Sequence, residues 1–132
     1  MINIKKISIV IFLFLQSCME PDTEKLWGIS IENIFETKGF ARSVIVEGSR
    51  AYVAAGQSGT QIWDLEENTL LKDFTGYEEG GTFLEFQDLA LIGRDPVNSL
   101  LFLSESNQDV KIFHLDETDS LIYRNTIMSA RT

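Results

Sequence analysis

From residue 29 onward, short runs of β-branched, aliphatic and aromatic residues alternate with polar ones and are separated by turns rich in Gly, Asn, Asp and Ser. A period of two marks half-buried strands. The pattern predicts strands at Ile29 to Phe35, Ser43 to Val46, Ala51 to Ala54, Gln61 to Leu65, Leu70 to Phe74, Phe83 to Phe86, Leu89 to Ile92, Leu100 to Ser104, Val110 to Leu115 and Leu121 to Thr126. No stretch in this region sustains a 3.6-residue spacing, so the expected class is all-β. The run Ile7 to Leu15 is different: nine residues, apolar except for Ser8.

The strands repeat. Ala51-Tyr52-Val53-Ala54 superposes on Leu101-Phe102-Leu103-Ser104 at an offset of fifty, and Gln61-Ile62-Trp63-Asp64-Leu65 superposes on Lys111-Ile112-Phe113-His114-Leu115 at the same offset. Upstream, Arg42-Ser43-Val44-Ile45-Val46 matches Gln87-Asp88-Leu89-Ala90-Leu91 at forty-five, with the difference assigned to a longer turn at Gly93-Arg94-Asp95-Pro96-Val97-Asn98 against Glu47-Gly48-Ser49-Arg50. Units of 40 to 50 residues with four strands each indicate β-propeller blades.

The first unit reads Gly39-Phe40-Ala41-Arg42-Ser43-Val44-Ile45-Val46-Glu47-Gly48, then Ala51-Tyr52-Val53-Ala54-Ala55-Gly56, Gly59 and Gln61-Ile62-Trp63-Asp64-Leu65. It resembles the LVIVD repeat of secreted and surface propeller proteins. The second unit departs from it, with Gln87 in place of the Arg, Ser104 of an Ala and His114 of the Asp. Small residues from Ala51 to Gly56 suit an inner strand near a propeller axis. Val44, Val46, Tyr52, Ile62, Trp63 and Leu65, with Leu89, Leu91, Phe102, Ile112, Phe113 and Leu115, supply an apolar layer between sheets. Asp64 is expected to accept hydrogen bonds from turn amides.

The expected architecture is about two blades plus one orphan strand, Ile29 to Phe35, an incomplete propeller occupying residues 29–132 with blade one at about 40–75 and blade two at about 83–127. Closed propellers use four to eight blades, and four of about 45 residues need roughly 180. The expectation is therefore either a truncated portion of a longer propeller or a chain whose open faces are covered by another, with self-association through uncovered blade faces.

Lys5-Lys6 followed by Ile7 to Leu15 has the form of a secretory signal, since a membrane-spanning helix needs about 20 apolar residues. Leu15-Gln16-Ser17-Cys18 resembles the lipobox of bacterial lipoproteins, although Gln16 stands where a small residue is usual. The resemblance implies a signal peptide at 1–17, cleavage after Ser17, and acylation of Cys18 by diacylglycerol and an N-linked chain such as palmitate. Residues 18–28 then form an acidic tether, and membrane lipid is the first expected partner. Two or three acyl chains anchor stably where one is marginal. Met19 in place of Asp points to the outer membrane, and Glu20, Asp22 and Glu24 look like an acidic surface-export signal. The same stretch also has the composition of any solvated tether.

The whole chain has 132 residues, 44% hydrophobic, and a formal charge of −9 from 11 basic and 20 acidic side chains. Without residues 1–17 it has 115 residues, 9 basic and 20 acidic, a net of −11. That balance disfavours nucleic acid, which needs clustered Lys and Arg to displace counterions. The lone cysteine removes an intrachain disulfide framework. The lone histidine, His114, leaves Ser-His-Asp, Cys-His and zinc constellations without their parts. No phosphate-cradling glycine motif occurs; Gly76-Tyr77-Glu78-Glu79-Gly80-Gly81 carries two acids and reads as an interblade loop. The acidic groups Glu66-Glu67-Asn68, Glu105-Ser106-Asn107-Gln108-Asp109 and Asp116-Glu117-Thr118-Asp119 lack the calcium-loop pattern and read as solvated turns. Trp27, Tyr77 and Tyr123 suit a binding surface or packing equally.

No catalytic, cofactor or metal residue is assigned, and Cys18 is the one predicted modification site. Two functional readings follow. The preferred one is a non-catalytic, lipid-anchored module of the cell envelope, not an enzyme, contacting envelope proteins or polysaccharide. The alternative is the N-terminal part of a lactonase-like or quinoprotein-like propeller enzyme with its active-site residues beyond Thr132.

Overall fold

The computed structural model describes residues 30–106 and 109–128. Signal peptide, Cys18 and tether lie outside the described residues. The chain divides into two compact units, 1–34 and 35–132. Of the first, residues 30–34 are described; they form no strand, and Ile31 and Ile34 are exposed.

The second unit is all-β. Its first sheet is a four-stranded antiparallel meander, β1 (Ser43–Glu47), β2 (Arg50–Ala54), β3 (Thr60–Asp64) and β4 (Thr69–Phe74). A hairpin follows, β5 (Gly76–Glu79) with β6 (Thr82–Glu85). The second sheet repeats the first: β7 (Leu89–Asp95), β8 (Leu100–Glu105), β9 (Val110–Leu115) and β10 (Leu121–Ile127), each paired with the next. These are sheets of propeller-blade type, and they do not close into a ring.

Turn chemistry sets the strand ends. Asp64 Oδ1 accepts from the amides of Glu66 and Glu67, each at 2.9 Å, as its place at the end of β3 predicts. Asp95 Oδ1 accepts from Val97 and Asn98 after β7, and Asp116 Oδ1 from Thr118 and Ser120 after β9. Thus Asp116 takes over, two residues later, the capping that His114 cannot supply. Gly59 opens β3 at φ +81°, and a Cβ there would lie 1.9 Å from the Phe74 carbonyl oxygen, so no other residue fits.

Tyr52, Ala54 and Ile62 of sheet one face Leu89, Ile92, Leu101, Leu103, Phe113 and Leu115 of sheet two, all buried. The sheets approach most closely where β1 and β2 meet β7, and the Leu89 amide donates to the Gly56 carbonyl across the seam at 3.0 Å. Away from that edge the sheets splay, and the hairpin and the residue after it fill the gap. Tyr77 and Phe86 pack on Phe113 at centroid distances of 5.2 and 6.1 Å, and Tyr77 lies 5.3 Å from Tyr123. Burial, with Glu79, Tyr123 and Glu105 adding to it, pushes the Tyr77 hydroxyl up to about 12. A smaller cluster covers the other face of sheet one, where Ala51, Val53, Ala55 and Trp63 are buried and Phe35 meets Trp63 edge to face.

Four expectations change. Residues 30–35 form no orphan strand, because no sheet edge pairs with them. The glycine-rich stretch from Gly76 is not a loop but strand β5 and a turn at Gly80-Gly81, both at positive φ, and Phe83 belongs to its partner β6. Strand β7 continues to Asp95, and the register places Leu91 opposite Ser104, as Ser43 is opposite Ala54. The true offset there is forty-eight, because Gly93, Arg94 and Asp95, which the sequence match assigned to the turn, continue the strand opposite Phe102, Leu101 and Leu100, and a one-residue bulge between Leu89 and Leu91 shifts the register upstream of them. Finally, the converging strands are β1 and β7. The small residues of β2 are needed instead where β7 crosses Ala54 to Gly56.

The Phe113 ring meets Tyr77 of the hairpin, Phe86 after it and Tyr123 of β10 at once. Phe113→Ala is expected to cost about 3–5 kcal/mol, read as a lowered urea midpoint with an unchanged slope; a loss below about 1 kcal/mol would show that the aromatic wedge does not hold the sheets.

Candidate functional site

Two polar clefts lie at opposite ends of the seam between the sheets. The first, of about 330 Å³, is lined by Arg50, Arg94, His114, Asp116, Glu117 and Asp119, among others. Arg50 opens β2 and reaches across to an ion pair with Asp119 in the turn before β10. Burial opposes the Arg50 charge, but the Asp119 carboxylate and the Tyr52 hydroxyl outweigh it and hold its pKa above the usual arginine value. Arg94 of β7 donates through Nε to Glu47 Oε2 at 3.0 Å and through Nη1 to the carbonyls of Asp95 and Leu100, with its guanidinium 5.3 Å from the Tyr52 ring centroid. Both guanidinium groups are therefore matched by carboxylates from the opposite sheet.

His114 is half-buried near the end of β9, and its Nδ1 is buried without a hydrogen-bond partner. The neighbouring Asp116 carboxyl is held below its usual range by the Ser120 amide, then by the Thr118 hydroxyl and amide. Asp116 is thus occupied by its own turn.

The second cleft, about 370 Å³, lies between Gly39, Phe40, Arg42, Gly56, Ser58 and Asp88. Arg42 pairs with Asp88 at 2.9 Å and donates to Ser106 Oγ at 3.2 Å, while Ser106 Oγ donates to Asp88 Oδ2 at 3.0 Å. Arg42 is therefore a tie from the first sheet to the second. A fourth pair lies in the seam itself: Lys111 Nζ meets Glu105 Oε2 at 3.0 Å, beside the Tyr77 ring, with both side chains largely buried.

Chemically, these clefts pair charge with charge and bind the sheets to one another. Among the described residues no group of three His, Cys, Asp or Glu side chains is placed to hold a metal ion, and no helix is long and apolar enough to cross a membrane. The sequence singled out Asp64, Arg42 and His114 and gave no sign of Arg50 or Arg94, and it read the groups holding Glu105 and Asp119 as solvated turns; both side chains are instead buried, because each is covered and meets a cation, Lys111 for Glu105 and Arg50 for Asp119. Arg50 and Asp119 are 69 positions apart, and only the docking of the sheets joins them.

The Asp95 carboxyl is also lowered, first by the side chain and amide of Asn98. A depressed folded-state pKa contributes stability above the unfolded value, near 4, and loses it as pH falls through the folded one. Asp95→Asn with Asp116→Asn keeps an acceptor but removes the titration. The doubly substituted chain is expected to show a shallower fall in urea midpoint between about pH 5 and pH 2.5 than the wild type; parallel curves would refute the assignment.

No protein-family model matches the chain. It is 23% identical over 100 residues to a protein named "Probable malate:quinone oxidoreductase" from Xylella fastidiosa strain 9a5c, a match covering 76% of this chain and 17% of that protein. Proteins of the same name from strains M12 and M23 match at 22% over the same shares. The chain spans about one sixth of the length of these curated relatives.

Proposed function

We propose that this chain is a non-catalytic, lipid-anchored module of the bacterial cell envelope, held at the outer membrane through acylated Cys18, with its blade loops free to contact envelope proteins or polysaccharide. The observation that carries this reading is Leu15-Gln16-Ser17-Cys18 at the end of a nine-residue apolar run that is preceded by Lys5-Lys6. The run is too short for a permanent span, and the cysteine stands where a lipobox needs it. The clefts support a scaffold role, because their arginines are engaged by carboxylates of the facing sheet.

Growth of a bacterial host expressing the full chain with a clickable fatty acid tests the anchor. Label is expected on the wild type and lost in Cys18→Ala, which then leaves the membrane fraction. Equal labelling of both would refute the reading.

The similarity to proteins named as malate:quinone oxidoreductases supports a second reading, a portion of an enzyme whose active-site residues belong to a longer protein. In-frame coding sequence continuing beyond codon 132 in the source DNA, with malate-dependent quinone reduction by the longer protein and none by the 132-residue chain, would favour it over the first.

A further inference from the structure

Because the two sheets repeat one pattern, each face of one has a counterpart on the other. In the strand registers Tyr52 opposite Ile62 corresponds to Phe102 opposite Ile112, and Ala51 opposite Trp63 corresponds to Leu101 opposite Phe113. The sheet-one face that enters the seam, with Tyr52, Ala54 and Ile62, thus has its equivalent on the outer face of sheet two, with Phe102, Ser104 and Ile112. Likewise the sheet-two face that receives it, with Leu101, Leu103 and Phe113, has its equivalent on the outer face of sheet one, with Ala51, Val53 and Trp63. The molecule carries on its outside both halves of the interface it has already formed once inside.

Those outer faces are apolar. On sheet one a groove of about 300 Å³ runs between Phe35, Val44, Val46, Trp63 and Leu65, and Val44 and Val46 are 58% and 60% exposed. On sheet two Leu91 is 63% exposed beside half-buried Phe102 and Ile112. Where the internal seam has Arg94 and Arg50, the equivalent outer positions hold Val46 and Leu100. The two arginines are replaced there by hydrocarbon, which gains by leaving water, while Asp95, the equivalent of Glu47, is engaged by its own turn at Val97 and Asn98. Phe35 also lies on Trp63 as Tyr77 and Phe86 lie on Phe113, so the aromatic wedge has its counterpart in place on the outer face. The Gln61 amide on that face is fully buried with Nε2 lacking an acceptor.

We propose that the partner covering these faces is a second copy of this chain: the outer face of sheet two of one copy packs on the outer face of sheet one of the next, head to tail, repeating the internal seam. Such a heterologous contact closes into a ring when the rotation permits. Propellers close with about four to eight sheets, so at two sheets per copy the ring holds two to four chains.

The test uses the full 132-residue chain carrying Cys18→Ala in mild detergent, which makes it independent of acylation and of the anchor reading. Light scattering is expected to give a mass two to four times the 14.9 kDa of one chain, unchanged on dilution through the micromolar range. Val44→Asp blocks one face and Leu91→Asp the other; each alone is expected to be monomeric with wild-type circular dichroism. Mixed in equal amounts they retain one intact pair of faces and are expected to form a dimer and nothing larger. That mixture also controls for folding, since an unfolded variant cannot complement. A monomeric parent, single variants that stay associated, or a mixture that stays monomeric would each overturn the proposal. The first would leave the faces to another protein or to further blades of a longer chain, and the second would assign association to the leader or to like faces.

Discussion

Everything in this fold depends on the seam between two sheets that are each too thin to have an interior of their own. A four-stranded sheet is one layer, and it becomes stable only when at least one face is covered. Here the covering is reciprocal: Tyr52 and Ile62 from one side, Leu101, Leu103 and Phe113 from the other, with Leu89 crossing at the tight edge. Twist makes the sheets diverge away from that edge. The β5–β6 hairpin and Phe86 resolve the divergence by bringing two large rings, Tyr77 and Phe86, into the space.

The polar residues of the seam follow from this geometry. Side chains at the rim of two docked sheets keep contact with water at one end and face the opposite sheet at the other. Arg42 with Asp88, Glu47 with Arg94, and Arg50 with Asp119 occupy those rims and stitch the sheets at both ends of β1 and β2. Partly exposed pairs of this kind contribute at most about 1 kcal/mol each, so they fix register and angle more than they stabilise. Lys111 and Glu105 differ because they are covered by Tyr77; removal of either would leave a buried charge without its partner. Clefts whose charges are tied up in this way hold the two sheets together.

Repetition then has a physical consequence. Because the two sheets share one pattern, each carries on its uncovered face the apolar positions that the other buries in the seam. Val44, Val46 and Leu91 are the residues a neighbour would touch. Water contact at these positions costs free energy that association would recover.

The period of two, the turn residues and the fifty-residue offset were enough to place the blade strands within a residue or two, except β7, and to predict Asp64 as a turn acceptor, because these depend on neighbours a few positions away. The same local signals failed where long-range contact decides. Nothing within Ile29 to Phe35 reveals whether a sheet edge is present to pair with it, and nothing within Gly76 to Gly81 reveals that a facing strand turns an acidic, glycine-rich stretch into a hairpin. The bulge between Leu89 and Leu91 was hidden because an inserted residue leaves composition unchanged while shifting every later partner. The pairing of Arg50 with Asp119 belongs to tertiary structure alone: two charges 69 residues apart meet only because apolar faces between them have docked.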